Sequence, residues 1–189
     1  MPALVALFLS LAVEIDIYQR LGSHPSIPKV LKVHDGMLIL ERLQGPLRQL
    51  LLDWHEAGHP PEPERILRWA TQIARGYQHF HGCNVFQVDI GLHNALLDDF
   101  DNAKVCDFAG SSLDGSPPTI FPSQHAEHPN LSPEIPSVLS ELFALGSLLY
   151  ELETARQPYS DKEDAEVEEL FRQDQFPDTE GLILGKVIA

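Results

Sequence analysis

Three polar residues stand at the ends of apolar stretches near the middle of the chain. Asp89 lies in Gln87-Val88-Asp89-Ile90-Gly91-Leu92-His93-Asn94, so Asn94 follows it by five residues. Asp107 comes 18 residues after Asp89, in Cys106-Asp107-Phe108-Ala109-Gly110. Two carboxylates and an amide offer hard oxygen atoms that suit a cation, and a carboxylate can also orient a hydroxyl. A single carboxylate at a strand end is by default a turn or cap residue. The ordered set, rather than any one member, points to a site.

Short strands are expected on either side of this set, over Val85–Val88 and Lys104–Cys106, bracketing Asp89–Asp101. Upstream, from Glu64 onward, Ile66, Trp69, Ala70, Ile73, Tyr77 and Phe80 recur at three- and four-residue steps. That pattern predicts an amphipathic helix of about four turns behind the stiff connector His59-Pro60-Pro61-Glu62-Pro63. Further upstream, Leu47–Trp54 reads as a short helix, and Lys29–Val33 and Met37–Glu41 read as strands joined at Asp35-Gly36. The first helix is expected to end at Leu21-Gly22, with Pro25 blocking continuation. Its apolar start, Ala3–Val13, has no basic residue before it and is shorter than the roughly 20 residues of a membrane span. Downstream, Ser111–Pro136 is proline-rich and reads as a long loop. Glu141–Leu152 is apolar on nearly every side and predicts a buried central helix, followed by an acidic helix over Asp161–Gln173 with a solvated face from Glu163 to Glu169.

In order and distance these residues resemble a protein kinase domain. Asp89 and Asn94 resemble its catalytic loop, H-R-D-x-x-x-x-N, and Asp107-Phe108 resembles its D-F-G. Glu14 stands where the family places its helix glutamate, and a His24-Pro25 pair follows. Leu38–Leu43 is similar to the fifth strand and hinge, with Leu40 at the gatekeeper position, and Phe143–Leu152 resembles the central helix of the large lobe. The resemblance covers roughly residues 12 to 189. It implies an α+β fold, with a remnant of the β-rich small lobe over residues 1–43 and a mostly helical large lobe over 44–189. It also implies ATP- and Mg2+-dependent phosphoryl transfer to protein Ser or Thr. Asp89 would orient the attacking hydroxyl, while Asn94 and Asp107 would hold Mg2+ against the phosphates. The backbone at Glu41 and Leu43 would meet the adenine edge, Leu96 would form the floor under the base, and Glu14 would pair with a strand lysine.

Several positions depart from the family. Gln87-Val88 replaces His-Arg, so no arginine stands beside Asp89 to bind a phosphorylated loop. Gly91 occupies the position of a lysine that neutralises the transferring phosphate, and loss of one such group commonly costs about 10²–10³ in kcat. Ala109 stands third in the D-F-G position, with glycine displaced to Gly110. Neither a glycine-rich strand pair nor a strand lysine precedes Glu14, and large-lobe helices expected by the resemblance do not follow Ala189. These features favour the alternative, a pseudokinase-like binding or scaffolding module without turnover. Ser132-Pro133-Glu134 and Ala126-Glu127 match the end of the activation segment equally well.

The net charge of −15 argues against affinity for nucleic acid or anionic lipid and does not identify a partner; a protein substrate or protein partner is what the resemblance implies. Two cysteines, Cys83 and Cys106, form neither a metal-type spacing nor a disulfide framework, which suits a reducing compartment, cytoplasmic or nuclear. Cys106 reads as a small buried apolar residue. His125, Glu127 and His128 lack a fourth ligand and read as part of a surface loop.

Overall fold

The computed structural model describes residues 2–188, with side chains from Leu11 onward. Helix α1 (Pro2–Leu21) stops where the glycine signal places its end. Gly22 takes a left-handed φ of 63° and donates its N–H to Tyr18 O at 3.0 Å, a conformation that glycine adopts without steric cost. The side chains of most of the Ala3–Val13 run lie outside the described residues.

Strands β1 (Val30–His34) and β2 (Met37–Leu40) pair antiparallel across Asp35-Gly36, where φ values of 50° and 72° give the doubly left-handed turn that matches strand twist. Helix α2 (Leu47–Glu56) buries Leu47 and Leu51. Helix α3 (Pro63–Gly82) runs for 20 residues, longer than its apolar pattern alone predicts. Its proline sits in the first turn, where a missing N–H costs nothing. Trp69, Ile73, Tyr77 and Phe80 fill its buried face.

Beyond α3, β3 (Val85–Phe86) pairs with β6 (Ser112–Leu113), and β4 (Ala95–Leu97) pairs with β5 (Ala103–Val105). β4 is too short for a periodic pattern to announce it; its partner β5 overlaps the expected strand. Helices α4 (Val138–Thr154), α5 (Asp164–Arg172) and α6 (Gly185–Ile188) complete the described chain. Helix α4 opens with a reciprocal cap between Ser137 and Ser140. Helices with three small antiparallel sheets make this an α+β fold, as expected.

One cluster of buried apolar side chains extends from Ile17 in α1 to Leu184 near the C-terminus. At its centre Phe108 is fully buried, edge-on to Tyr18 at 5.3 Å and to Phe80 at 5.0 Å. The ring that follows Asp107 therefore joins α1 to α3. Helix α4 departs from the expectation of burial on every side. Ala144, Leu145, Leu148, Leu149 and Leu152 are buried, but Leu139 and Leu142 are 60% and 52% exposed. Its outer face borders an apolar groove of about 480 Å³ with Phe171, Phe176 and Val187.

Replacing Phe108 by alanine is expected to cost about 3–5 kcal/mol, because a large ring is lost from a closed core. A urea titration should show a lower midpoint with an unchanged slope. A loss below about 1 kcal/mol would mean that the site collapses freely, and that the ring does not join the two helices.

Candidate active site

Gln87 is the side chain that ties the two acidic segments together. It is 1% exposed. Its Oε1 accepts from the Tyr77 hydroxyl of α3. Its Nε2 donates to Cys106 O at 2.6 Å and to Asp107 O at 3.1 Å. Its own carbonyl accepts from the Ser111 hydroxyl at 3.0 Å. Burial pushes the Tyr77 phenol well above its ordinary value, so the hydroxyl remains a donor. The chain on either side of Asp107 is thus fastened to the chain entering Asp89.

The next residue is strained. Val88 is β-branched, yet it holds a φ of 73° in the left-handed region. Its N–H donates to Glu141 Oε1 at 2.8 Å, and Glu141 Oε2 lies 2.6 Å from His81 Nε2. Glu141 is 3% exposed, so its charge has few other partners to compensate it. This anchor turns the chain at Val88 and presents Asp89 away from the core.

Asp89 is half-buried. Its Oδ2 lies 3.0 Å from His93 Nε2 and accepts from Asn94 Nδ2 at 3.3 Å, while the same Asn94 nitrogen donates to Asp89 O at 2.9 Å. Burial pushes the Asp89 carboxyl up, but hydrogen bonds from His93 and Asn94 and the charge of Arg48 outweigh it and hold it below the usual range. Arg48 itself is locked in a two-pronged ion pair with Glu151 of α4. Asn94 is buried and donates both these bonds through nitrogen, which leaves its Oδ1 for another partner.

Asn94 and Asp107 flank one end of the β4–β5 hairpin, where Cys106 N–H donates to Asn94 O at 2.9 Å. Asp107 is exposed, takes a φ of 63°, and accepts the Ala109 N–H on Oδ1 at 3.2 Å. Burial pushes the Cys106 thiol up to about 12, so it stays an unreactive thiol. Glu14 of α1 reaches the same place, where its Oε1 accepts from Phe108 N–H at 3.3 Å. Burial pushes the Glu14 carboxyl up; the Phe108 N–H pulls the other way, and the charge of Asp107 adds to the rise.

Of the residues expected around the adenine, Leu96, the floor, lies in β4, and Glu41 and Leu43, the edge, lie on the segment that follows β2. Gln44 N–H donates to Leu97 O at 2.8 Å and Pro46 bridges Leu96, so the Gln44–Pro46 segment runs along β4, while Glu41 N–H donates to Lys29 O at 2.9 Å. Leu43 and Leu96 are half-buried. Glu41 has a further engagement that the sequence pattern does not announce. Its carboxylate binds Lys104 at 2.6 Å and the Lys29 N–H at 2.8 Å. Burial raises its carboxyl, but these two bonds outweigh burial and hold it low.

The structure adds Gln87, His93, Arg48, Glu141 and Glu151 to the residues that shape the site. The last two carry a legible signal, since a carboxylate inside an otherwise apolar helix is almost never buried without a partner.

Residues 9–181 match the protein kinase domain family. Among curated relatives, the chain is 31% identical over 167 residues to the probable serine/threonine-protein kinase KCC4 of Saccharomyces cerevisiae, spanning 82% of this chain and 15% of that protein. It is 29% identical over 146 residues to serine/threonine-protein kinase PrkC of Bacillus subtilis, which covers 72% of this chain and 22% of that protein. It is also 29% identical over 175 residues to serine/threonine-protein kinase 12 of Arabidopsis thaliana, covering 84% and 36%. The chain thus spans well under half the length of these relatives.

The raised carboxyl of Glu14 gives a pH test. A carboxyl whose folded pKa lies above its unfolded value costs stability as pH rises from the unfolded pKa through the folded one. Glu14→Gln keeps an acceptor for the Phe108 N–H and removes the charge facing Asp107. In the 189-residue chain it is expected to raise Tm at neutral pH. The gain should fade as pH falls below the ordinary glutamate value. Melts at several pH values would check this, and a gain that grows in acid would contradict it.

Proposed function

Because the chain belongs to the protein kinase domain family, we propose that it transfers the terminal phosphoryl group of ATP, with Mg2+, to Ser or Thr hydroxyls of a protein. The observation that carries this reading is the posture of Asp89. Two donors hold its Oδ2, which leaves Oδ1 to accept the hydrogen bond of an incoming hydroxyl. A carboxylate held below its usual range stays ionised and orients the nucleophile rather than storing a proton.

The donor chemistry fits Mg2+. Asn94 has its amide oxygen left over, and Asp107 offers exposed carboxylate oxygens, both hard ligands. Among the described residues no group of three or more His, Cys, Asp or Glu is arranged to hold a metal alone. That suits an ion that keeps waters and shares phosphate oxygens with few protein ligands. When bound, Mg2+ supplies neutralisation of the phosphate charge. On this reading Glu41 and Leu43 offer backbone groups to the adenine edge over Leu96, and Glu14 faces the position of a lysine partner. Residues 1–43 are then the small-lobe part and 44–189 the large-lobe part. The acceptor protein, and any other protein partner, belong to the same proposal.

A second reading, a binding module without turnover, is favoured by Gly91 in the lysine position and Val88 in place of arginine. Mass-spectrometric detection of phosphate transfer by the full-length protein with Mg2+ and ATP separates the two. Asp89→Asn and Asp107→Asn are each expected to lower kcat by about 10²–10³. Full nucleotide-dependent thermal stabilisation with no transfer in the wild type would select the second reading. Undiminished transfer by Asp89→Asn would overturn the assignment of Asp89.

A further inference from the structure

Gly91 is buried, and the space above its Cα is taken by the ring of His93. A Cβ placed at Gly91 would stand 2.6 Å from both His93 Cε1 and His93 Nδ1, and 3.3 Å from Arg48 Nη2. Real contacts are never that short, so a side chain at position 91 would push the ring aside. The ring is not free to move without loss, because its Nε2 lies 3.0 Å from Asp89 Oδ2. An ionised carboxylate only accepts hydrogen bonds, so Nε2 must carry the proton. His93 Nδ1 is buried with no hydrogen-bond partner among the described residues, which leaves Asp89 as the partner that sets the ring's tautomer.

We propose that His93 is a positioning residue for Asp89. It fixes the rotation of the carboxylate so that Oδ1 faces the acceptor hydroxyl, and Gly91 is required because only a residue without a side chain leaves the ring in place. This rests on the phosphoryl-transfer reading above and deepens it. Asn94 supplies the second bond to the same oxygen, at 3.3 Å, so His93 is the shorter restraint of the two. The groups facing the pair are Asp89 and Asn94 on the same loop and Arg48 from α2, whose charge is already engaged by Glu151 of α4.

The test uses the full-length protein with His93→Phe, His93→Gln, Gly91→Ala and Asp89→Asn, each checked for a native melt. His93→Phe keeps the ring's bulk and loses the donor, so kcat is expected to fall about tenfold to a hundredfold, as small misplacements of a reacting group do, while KM for ATP stays unchanged. His93→Gln restores a donor and should recover most of kcat. Gly91→Ala should resemble His93→Phe, because it displaces the ring without touching Asp89. Wild-type kcat in His93→Phe beside an inactive Asp89→Asn would overturn the role of His93 and leave the kinase reading intact. If the wild type itself shows no transfer, the kinase reading fails, and long-range 1H–15N spectra of the imidazole in alkaline buffer decide the pairing. A single Nε2–H tautomer in the wild type that becomes mixed in Asp89→Ala supports it. A mixed tautomer in the wild type, or one that Asp89→Ala leaves unchanged, overturns it.

Discussion

A buried amide determines whether the acidic residues of this chain form a site at all. Gln87 contacts α3 through Tyr77, the end of β5 through Cys106 and Asp107, and the start of β6 through Ser111. These bonds run between segments that are distant in sequence and paired by only two-residue strands. A ladder that short cannot hold its own register, so side-chain bonds must do it. The Tyr77 hydroxyl and the Cys106 carbonyl would lose the amide as their partner, at about 1–3 kcal/mol for each group left buried and unpaired. An apolar residue of the same size would therefore lose more than packing, because Asp89 and Asp107 would no longer share one frame.

The second constraint is the backbone at Val88. A left-handed φ at a β-branched residue costs on the order of 1–2 kcal/mol. A charge-assisted bond to a buried carboxylate contributes a similar amount in the opposite direction, about 1.5–3 kcal/mol. The strain persists because Glu141 over-determines it, and Glu141 persists in the core because His81 and Val88 occupy its two oxygens. Helix α4 thus acts beneath the loop as a platform. Glu151, three turns along the same helix, holds Arg48 in the same manner and keeps a positive charge near Asp89.

The helices and the turn residues were legible because their signals are local. The three- and four-residue steps from Ile66 to Phe80 announce α3, and Gly22 and Asp35-Gly36 mark an end and a turn whose left-handed backbone the structure contains. What could not be read is held by contacts between distant segments. β4 has three residues, too few for a period, and exists because β5 pairs with it. Gln87 stands out in the sequence only as a departure from a family pattern, and its value lies in four partners brought to it by folding. The apolar surround of α4 suggests burial on all sides, but periodicity reports only what a helix could bury. Leu139 and Leu142 stay more than half exposed. The ion pair of Glu41 with Lys104 joins residues 63 positions apart and leaves no trace in local pattern.

The charges around the candidate site are unbalanced in a way that bears on the proposed ligand. Asp89 is well compensated by His93, Asn94 and Arg48, and its carboxyl is held low. Glu14 is not, since burial and the charge of Asp107 raise its carboxyl and only the Phe108 N–H opposes them. The proposed nucleotide triphosphate would bring further negative charge to that side, and like charges repel more strongly where water is partly excluded. It can bind there only if positive charge arrives with it or is supplied beside Glu14. A divalent cation carried by the phosphates meets the first condition, and a lysine facing Glu14 meets the second. The Phe108 N–H holds the Glu14 carboxylate beside Asp107 despite that repulsion.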